Sequence, residues 1–228
     1  GEKLIEMLFK EDIIRDFADI FAIKKHKDKL EEKVGLGKLS VSNLLNSIES
    51  KRKITFDKLI YALGIRQVGE TSSKLLALHY DTFENFRIEM VKAVDKTSNS
   101  FQELVSIDQI GRSIAEDLVL YFNTNSNLII FDKLLNYITI ENTKRKSVVS
   151  PYTDKVIVLT GALNSMSRDE AKQTLQNLGA KVSSTISKNT DFLIIGDQPG
   201  SKAKKAKELN IPIVREEELV GIIQKIND

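Results

Sequence analysis

The chain has 228 residues, 41% hydrophobic and 29% charged, the make-up of a water-soluble globular protein of one large or two small domains. It has no cysteine, which excludes disulfides and cysteine-based zinc sites, and no apolar run long enough to span a bilayer. His26 and His79 are its two histidines; far apart in sequence, they read as surface residues, which argues against Ser-His or Cys-His catalysis. A net charge of +2 and a pI near 8.6 do not by themselves demand a nucleic-acid partner. Lys24-Lys25, Lys51-Arg52-Lys53, Lys144-Arg145-Lys146 and Lys202 to Lys207 are basic clusters; each taken singly reads as a solvated face.

Residues 1–138 read as helices only. Apolar residues recur at helical spacing in Leu39 to Ile48, Leu59 to Leu63, Leu75 to Tyr80, Ile114 to Phe122 and Leu128 to Ile138. Asp12, Asp81 and Asn125 are candidate N-caps or turn residues. Three short signatures punctuate the helices: Gly35-Leu36-Gly37-Lys38, Gly64 to Gly69 and Ile110-Gly111-Arg112-Ser113. Gly1 to Ile5 reads as the tail of a fourth. The closing glycines recur at intervals of roughly 30 to 40 residues, which suggests a repeat of helical pairs. A glycine hairpin that opens a helix presents free N–H groups at the helix's positive end, a site for phosphate. One such hairpin would read as a plain helix connector. A row of them, with Lys38, Arg66 and Arg112 beside the glycines, reads as a grip on a nucleic-acid backbone that ignores the bases. In the third signature Gln109 stands where a first glycine is expected, which makes Gly111 the weaker site. The second hairpin is expected to matter most, and a β-carbon at Gly69 is expected to crowd its turn.

From Ile140 the pattern lapses into polar and basic residues ending in Ser150-Pro151, an interdomain linker over 140–151. Beyond it Val156 to Leu159, Phe192 to Ile195 and Ile211 to Val214 are short apolar runs. They alternate with helical stretches at Arg168 to Leu178, Lys202 to Leu209 and Glu216 to Ile226. That alternation predicts a parallel sheet covered on both faces, with Gly179 as the C′ residue before a strand beginning at Val182.

The stretch "VGLGKLSVSNLL" followed by "LIYALGIRQVGETSSKLLALHY" resembles the helix-hairpin-helix array of bacterial NAD-dependent DNA ligases. "VIVLTGALNSMSRDEAKQTLQNLGAKVSSTISKNTDFLIIG", then "GSKAKKAKELNIPI", is similar to the BRCT domain that ends those enzymes. The resemblance covers essentially the whole chain in the family's domain order. It implies an all-α helix-hairpin-helix DNA-binding domain over 1–139, the linker, and an α/β BRCT domain over 152–228 with a four-stranded parallel sheet. It further implies the C-terminal part of a cytoplasmic ligase that seals nicks in replication and repair, with double-stranded nicked DNA as partner. NAD, magnesium and zinc would belong to upstream adenylation, OB and zinc domains of the same polypeptide. The Lys-x-Asp-Gly motif that carries AMP in the family is absent, so the chain alone is expected to be inactive. Beginning at Gly1, inside a hairpin motif, it reads as a fragment.

Carried over residue by residue, the DNA-binding set is Gly35, Gly37, Lys38, Arg66, Gln67, Gly69, Gly111, Arg112 and Ser113. No residue is assigned as catalytic or as a metal ligand. Similar BRCT domains bind phosphate at positions that correspond to Thr160, Gly161, Arg168 and Lys202. The alternative there is a strand-ending turn and a solvated helix start. The family's tryptophan in the last helix is missing, and Leu219, Ile222 and Ile223 are expected to pack in its place. A rival function is a non-catalytic scaffold that joins a DNA-binding array to a phosphoprotein-binding BRCT domain.

Overall fold

The structure, a computed structural model, describes residues 1–33, 35–142 and 150–227. The chain opens with α1 (Glu2–Lys10), a 3-10 segment (Phe17–His26), α2 (Lys27–Glu31) and α3 (Lys38–Glu49). These close on a small core of Leu8, Ile13, Ile14, Ile23, Leu30 and Val41. Asp16 caps the 3-10 segment with its side chain, accepting from Ala18 and Asp19, and Lys133 reaches across to Asp16 and Asp19 at 2.8 and 2.7 Å.

A larger helical body follows: β1 (Lys53–Thr55), α4 (Phe56–Ala62), α5 (Glu70–Tyr80), α6 (Phe83–Lys92), α7 (Asn99–Ser106), α8 (Arg112–Phe122), α9 (Asn125–Leu135) and β2 (Thr139–Glu141). Its core is aromatic. Phe83 lies 5.1 Å from Phe131, and Phe86 meets Phe122 edge-on at 5.1 Å, geometries that add to the area these rings bury.

This region departs from a helices-only reading. β1 and β2 pair in parallel, Lys53 with Thr139 through Thr55 with Glu141, so Ile140 and Glu141 are strand rather than linker. Arg52 fixes the pair's approach by donating to the carbonyls of Tyr137 (3.1 Å) and Phe21 (3.0 Å); it is a structural residue, not part of a solvated basic face. Lys144-Arg145-Lys146 lie outside the described residues. Asp12 and Asp81 are turn residues with φ of 57° and 62°. Asn125 is instead the first helical residue of α9, behind Thr124 at the N-cap. His79 is not a surface residue: it is 7% exposed and bonded to Glu103 at 2.8 Å, and that bond, against the cost of burial, holds the Glu103 carboxyl below its ordinary value.

After the linker come β3 (Val156–Thr160), α10 (Arg168–Asn177), β4 (Lys181–Ser183), β5 (Phe192–Ile195), α11 (Ser201–Glu208), β6 (Ile213–Arg215) and α12 (Glu216–Asn227). The strands form one parallel sheet in the order β4-β3-β5-β6. α10 and α12 cover one face through Ala171, Leu175 and Leu219. α11 covers the other, its Ala206 against Val158 and Leu193. Ile222 and Ile223 pack beside Leu219 against the sheet's core. Gly179 takes φ +84 after α10, as its C′ reading requires. β4 begins one residue earlier than the sequence pattern suggests, at Lys181.

Candidate nucleic-acid interface

The three hairpins share one turn hydrogen bond and one left-handed residue. In each, an N–H three residues on closes a turn onto a carbonyl: Leu36 onto Lys33, Val68 onto Ile65 and Ile110 onto Ile107, all at 3.0 Å. The residue before that N–H has positive φ: Gly35 at +85, Gln67 at +63 and Gln109 at +63. An apolar residue then plugs the turn, with Val68 and Ile110 7% and 1% exposed. Next comes Gly37, Gly69 or Gly111 as N-cap of α3, α5 or α8. Gln109 therefore does not mark the third hairpin as deviant, because Gln67 fills the same left-handed place in the second. Gly64 lies outside the motif proper and terminates α4 at φ +63.

What the glycine N-caps do is set by contrast. Thr82, Ser98 and Ser167 cap α6, α7 and α10 with side-chain oxygens. α3, α5 and α8 receive no side-chain cap, so their first-turn N–H groups remain open. A β-carbon built on Gly37, Gly69 or Gly111 would meet nothing within 4 Å, and none of the three has positive φ. The expected crowding at Gly69 is thus absent. No packing within the protein requires glycine at these places; each leaves clear access to a helix N-terminus.

Charge around the three differs. Lys38 opens α3, Arg112 opens α8, and Glu70 opens α5. Glu70 pairs with Lys74 at 2.6 Å, and that hydrogen bond lowers its carboxyl below the ordinary value. The second hairpin therefore carries an anion at the head of its helix where the other two carry cations. Arg66 is exposed beside it. Arg112 shares Glu116 with Lys96, at 3.2 and 2.8 Å. Gln67 ties the second hairpin to the third: its amide donates to Ser113 Oγ at 2.8 Å and to Asp117 Oδ2 at 2.6 Å. Of the residues expected to bind DNA, Arg66, Gln67, Gly69, Gly111, Arg112 and Ser113 thus fall on one paired unit. Gly35, Gly37 and Lys38 belong to the separate first hairpin.

In the α/β domain, Thr160 ends β3 and is buried. Gly161 has φ +82, and a β-carbon there would lie 2.6 Å from the Asp197 carbonyl oxygen. That contact accounts for this glycine through packing alone, as in the strand-ending-turn reading. Arg168 donates to the Leu159 carbonyl at 2.7 Å, at the end of the same strand. α11 opens on Gly200, again without a side-chain cap and with nothing within 4 Å of an added β-carbon. Burial, then the nearby Arg168 guanidinium, push the Lys202 ammonium below its ordinary value. The Asp108 carboxylate acts on Lys202 in the opposite direction.

Sequence reasoning missed the residues that join the two domains. The Ser106 carbonyl accepts the Ser184 N–H at 2.9 Å and the Ser183 and Ser184 hydroxyls at 3.1 Å each. Lys172 meets Asp108 at 2.8 Å, and Lys181 meets Asp81 at 3.8 Å. No local signal marks such long-range polar pairs. Among the described residues, no group of three or more His, Cys, Asp or Glu is placed to hold a metal ion. No helix among them is long and apolar enough to cross a membrane.

A helical region of repeated hairpins followed by a four-stranded parallel α/β domain defines a class, and comparison with known families agrees. Residues 58–130 match the helix-hairpin-helix motif, and residues 147–223 match the BRCA1 C Terminus (BRCT) domain. The chain is therefore a helix-hairpin-helix region followed by a BRCT-like α/β domain. Along nearly its whole length it is similar to bacterial proteins named DNA ligase. It is 40% identical over 230 residues to that of Rickettsia conorii, with 99% of this chain and 33% of the relative covered. It is 38% identical over 230 residues to that of Rickettsia bellii strain OSU 85-389, with the same coverage. It is 38% identical over 225 residues to that of Bradyrhizobium sp. strain ORS 278, with 98% of this chain and 31% of the relative covered. The chain spans about a third of the length of these relatives, a match consistent with a C-terminal fragment of a bacterial DNA ligase.

Proposed function

We propose that the chain is the DNA-gripping C-terminal part of an NAD-dependent DNA ligase that seals nicks in replication and repair. The observation that carries this reading is the set of three bare-glycine helix N-termini in one repeated hairpin conformation. Each offers unpaired N–H groups and a positive helix end to a backbone phosphate. Gln67 holds the second and third hairpins together, so one DNA backbone can be met at two points of a rigid unit. Lys38, Arg66 and Arg112 add long-range attraction. Amide and ammonium donors of this kind meet phosphates rather than base edges, so binding is sequence-independent. The resident groups do not supply the joining chemistry. With no cysteine and no Lys-x-Asp-Gly motif, the zinc module and the AMP-carrying lysine implied by the family do not fit this chain. NAD and magnesium would act on other domains of the polypeptide. The Arg168–Lys202 pair and the open N-terminus of α11 support a second anion site in the BRCT domain.

The test is titration of a short nicked duplex by fluorescence anisotropy between low and moderate salt. With about four phosphate contacts, log affinity falls against log salt with a slope of about −3 to −4. A flat salt response, or strong preference for one base sequence, would refute the reading.

A further inference from the structure

Arg168 and Lys202 have a third cation beside them, and an anion from the other domain. Lys172 follows Arg168 by one turn on α10. Its ammonium lies 2.8 Å from Asp108 Oδ2, with the two side chains 20% and 14% exposed. Its other acidic neighbour, Asp169, is 3.6 Å away and 93% exposed, so it offers little to a desolvated cation. Asp108 directly precedes Gln109-Ile110-Gly111, so the anion rides on the third hairpin. Burial first, then Arg168 and Lys172, depress the Lys202 pKa, and Asp108 raises it. Beside the ion pair, Ser183 forms an isolated bridge with Ile107, and three donors converge on the Ser106 carbonyl. A single carboxylate thus pairs with Lys172, one helical turn from Arg168, from across the domain boundary, and polar bonds to its own loop seat it there.

We propose that Asp108 is an internal anion that occupies the BRCT cation cluster of Arg168, Lys172 and Lys202, and that a terminal phosphate of DNA competes with it, releasing the BRCT domain from the third hairpin. The proposal rests on the reading of Arg168 and Lys202 as a phosphate site. A terminal phosphate carries roughly −1.5 to −2 charges at neutral pH and three acceptor oxygens, against one charge and two oxygens on Asp108. It therefore outcompetes the carboxylate once present. DNA is the favoured source because the cluster adjoins a hairpin whose helix N-cap, Gly111, lies three residues beyond Asp108 along the same loop. Coupling runs both ways: what loosens the docked domain tightens phosphate binding, by the same factor.

The experiment uses the full chain, whose lack of cysteine allows specific labelling at Ile129→Cys and Glu217→Cys, both exposed. Energy transfer between the labels reports docking. The probes are a short duplex with a 5′-phosphate and the same duplex without one. In the parent, the phosphorylated duplex lowers transfer and the bare duplex does not. Asp108→Asn, which keeps the shape and removes the charge, lowers transfer without DNA. It binds the phosphorylated duplex about three- to tenfold more tightly, a gain matched to loss of one partly buried ion pair, and the bare duplex unchanged. If Lys202→Gln weakens binding of the phosphorylated duplex but Asp108→Asn does not strengthen it, the competition is wrong and the phosphate site stands. If parent, Asp108→Asn and Lys202→Gln all bind the two duplexes alike, the phosphate site itself is wrong and the competition falls with it.

Discussion

An aspartate at each hairpin N-cap should stabilise the protein and weaken its hold on DNA, two effects of opposite sign from one substitution. The structure fixes both signs. Gly37, Gly69 and Gly111 have extended φ and ψ of −73° and 169°, −94° and −175°, and −75° and 168°, a conformation that an aspartate N-cap adopts readily. A β-carbon meets nothing within 4 Å at any of them, so no strain offsets the gain. The new carboxylate accepts the first-turn N–H groups and complements the helix dipole. That is worth about 0.5 kcal/mol per site, or roughly 1–2 °C in the melting of the helical region. The same carboxylate fills the place of a phosphate and repels the next one. A loss of about 1–2 kcal/mol follows, some five- to thirtyfold in affinity, with the salt slope shallower by about one unit. Gly37→Asp and Gly111→Asp should lose more than Gly69→Asp, because Glu70 already sets an anion at the head of α5. Calorimetry and DNA titration on the same three variants give the check. If all three bind DNA like the parent, the hairpins are connectors. If their melting temperatures fall, the open-cap geometry is wrong.

Gln109→Gly should raise the melting temperature by about 1–3 °C, since glycine relieves a left-handed residue that costs roughly 1 kcal/mol, while Gln109→Val should lower it. Glu216→Gln should destabilise the BRCT domain by about 2 kcal/mol, because this buried carboxylate accepts the Ser165 hydroxyl and the N–H groups of Asn164 and Ser165. Those bonds, the Ser165 hydroxyl first, hold the Glu216 carboxyl below its ordinary 4.5 despite burial. Its stabilisation is therefore complete above pH 4.5 and fades as pH falls through the lowered value; melting curves of parent and variant measured from pH 6 downward should converge in acid, and a gap that persists there would contradict this. Incubated with NAD and magnesium, the chain should gain no covalent AMP, as mass spectrometry would read.

The periodic elements were legible in the sequence because burial imposes their pattern. α10 and α12 show helical spacing, and β3 and β5 are continuous apolar runs because helices cover both faces of their sheet. β1 and β2 were not legible. Each is three residues long, too short to display alternation, and their pairing joins Lys53 to Thr139 across the whole helical body. Arg52 read as one charge among three; its two carbonyl acceptors, Phe21 and Tyr137, are set only by the fold. His79 read as exposed because nothing local marks Glu103 as its partner.

The candidate site was legible in part, and the reason lies in what a motif encodes. Residue type pointed to Gly37, Gly69 and Gly111, which share a chemical identity. It did not reveal that Gly35, Gln67 and Gln109 are one structural position, because what they share is a dihedral angle rather than a side chain. Capping adds a distinction that sequence alone leaves ambiguous. Ser98 and Ser167 satisfy their own helices, whereas the hairpin glycines and Gly200 leave theirs open. A helix end that is neither capped from within nor crowded by its neighbours is free to bind from without. Among the described residues that arrangement recurs at Gly1, Gly37, Gly69 and Gly111 in the helical region and at Gly200 in the BRCT domain, and Asp108 sits between the two regions, bonded to Lys172. The two domains therefore do not merely share a polypeptide: an ion pair from Asp108 to Lys172 and three hydrogen bonds to the Ser106 carbonyl seat one against the other.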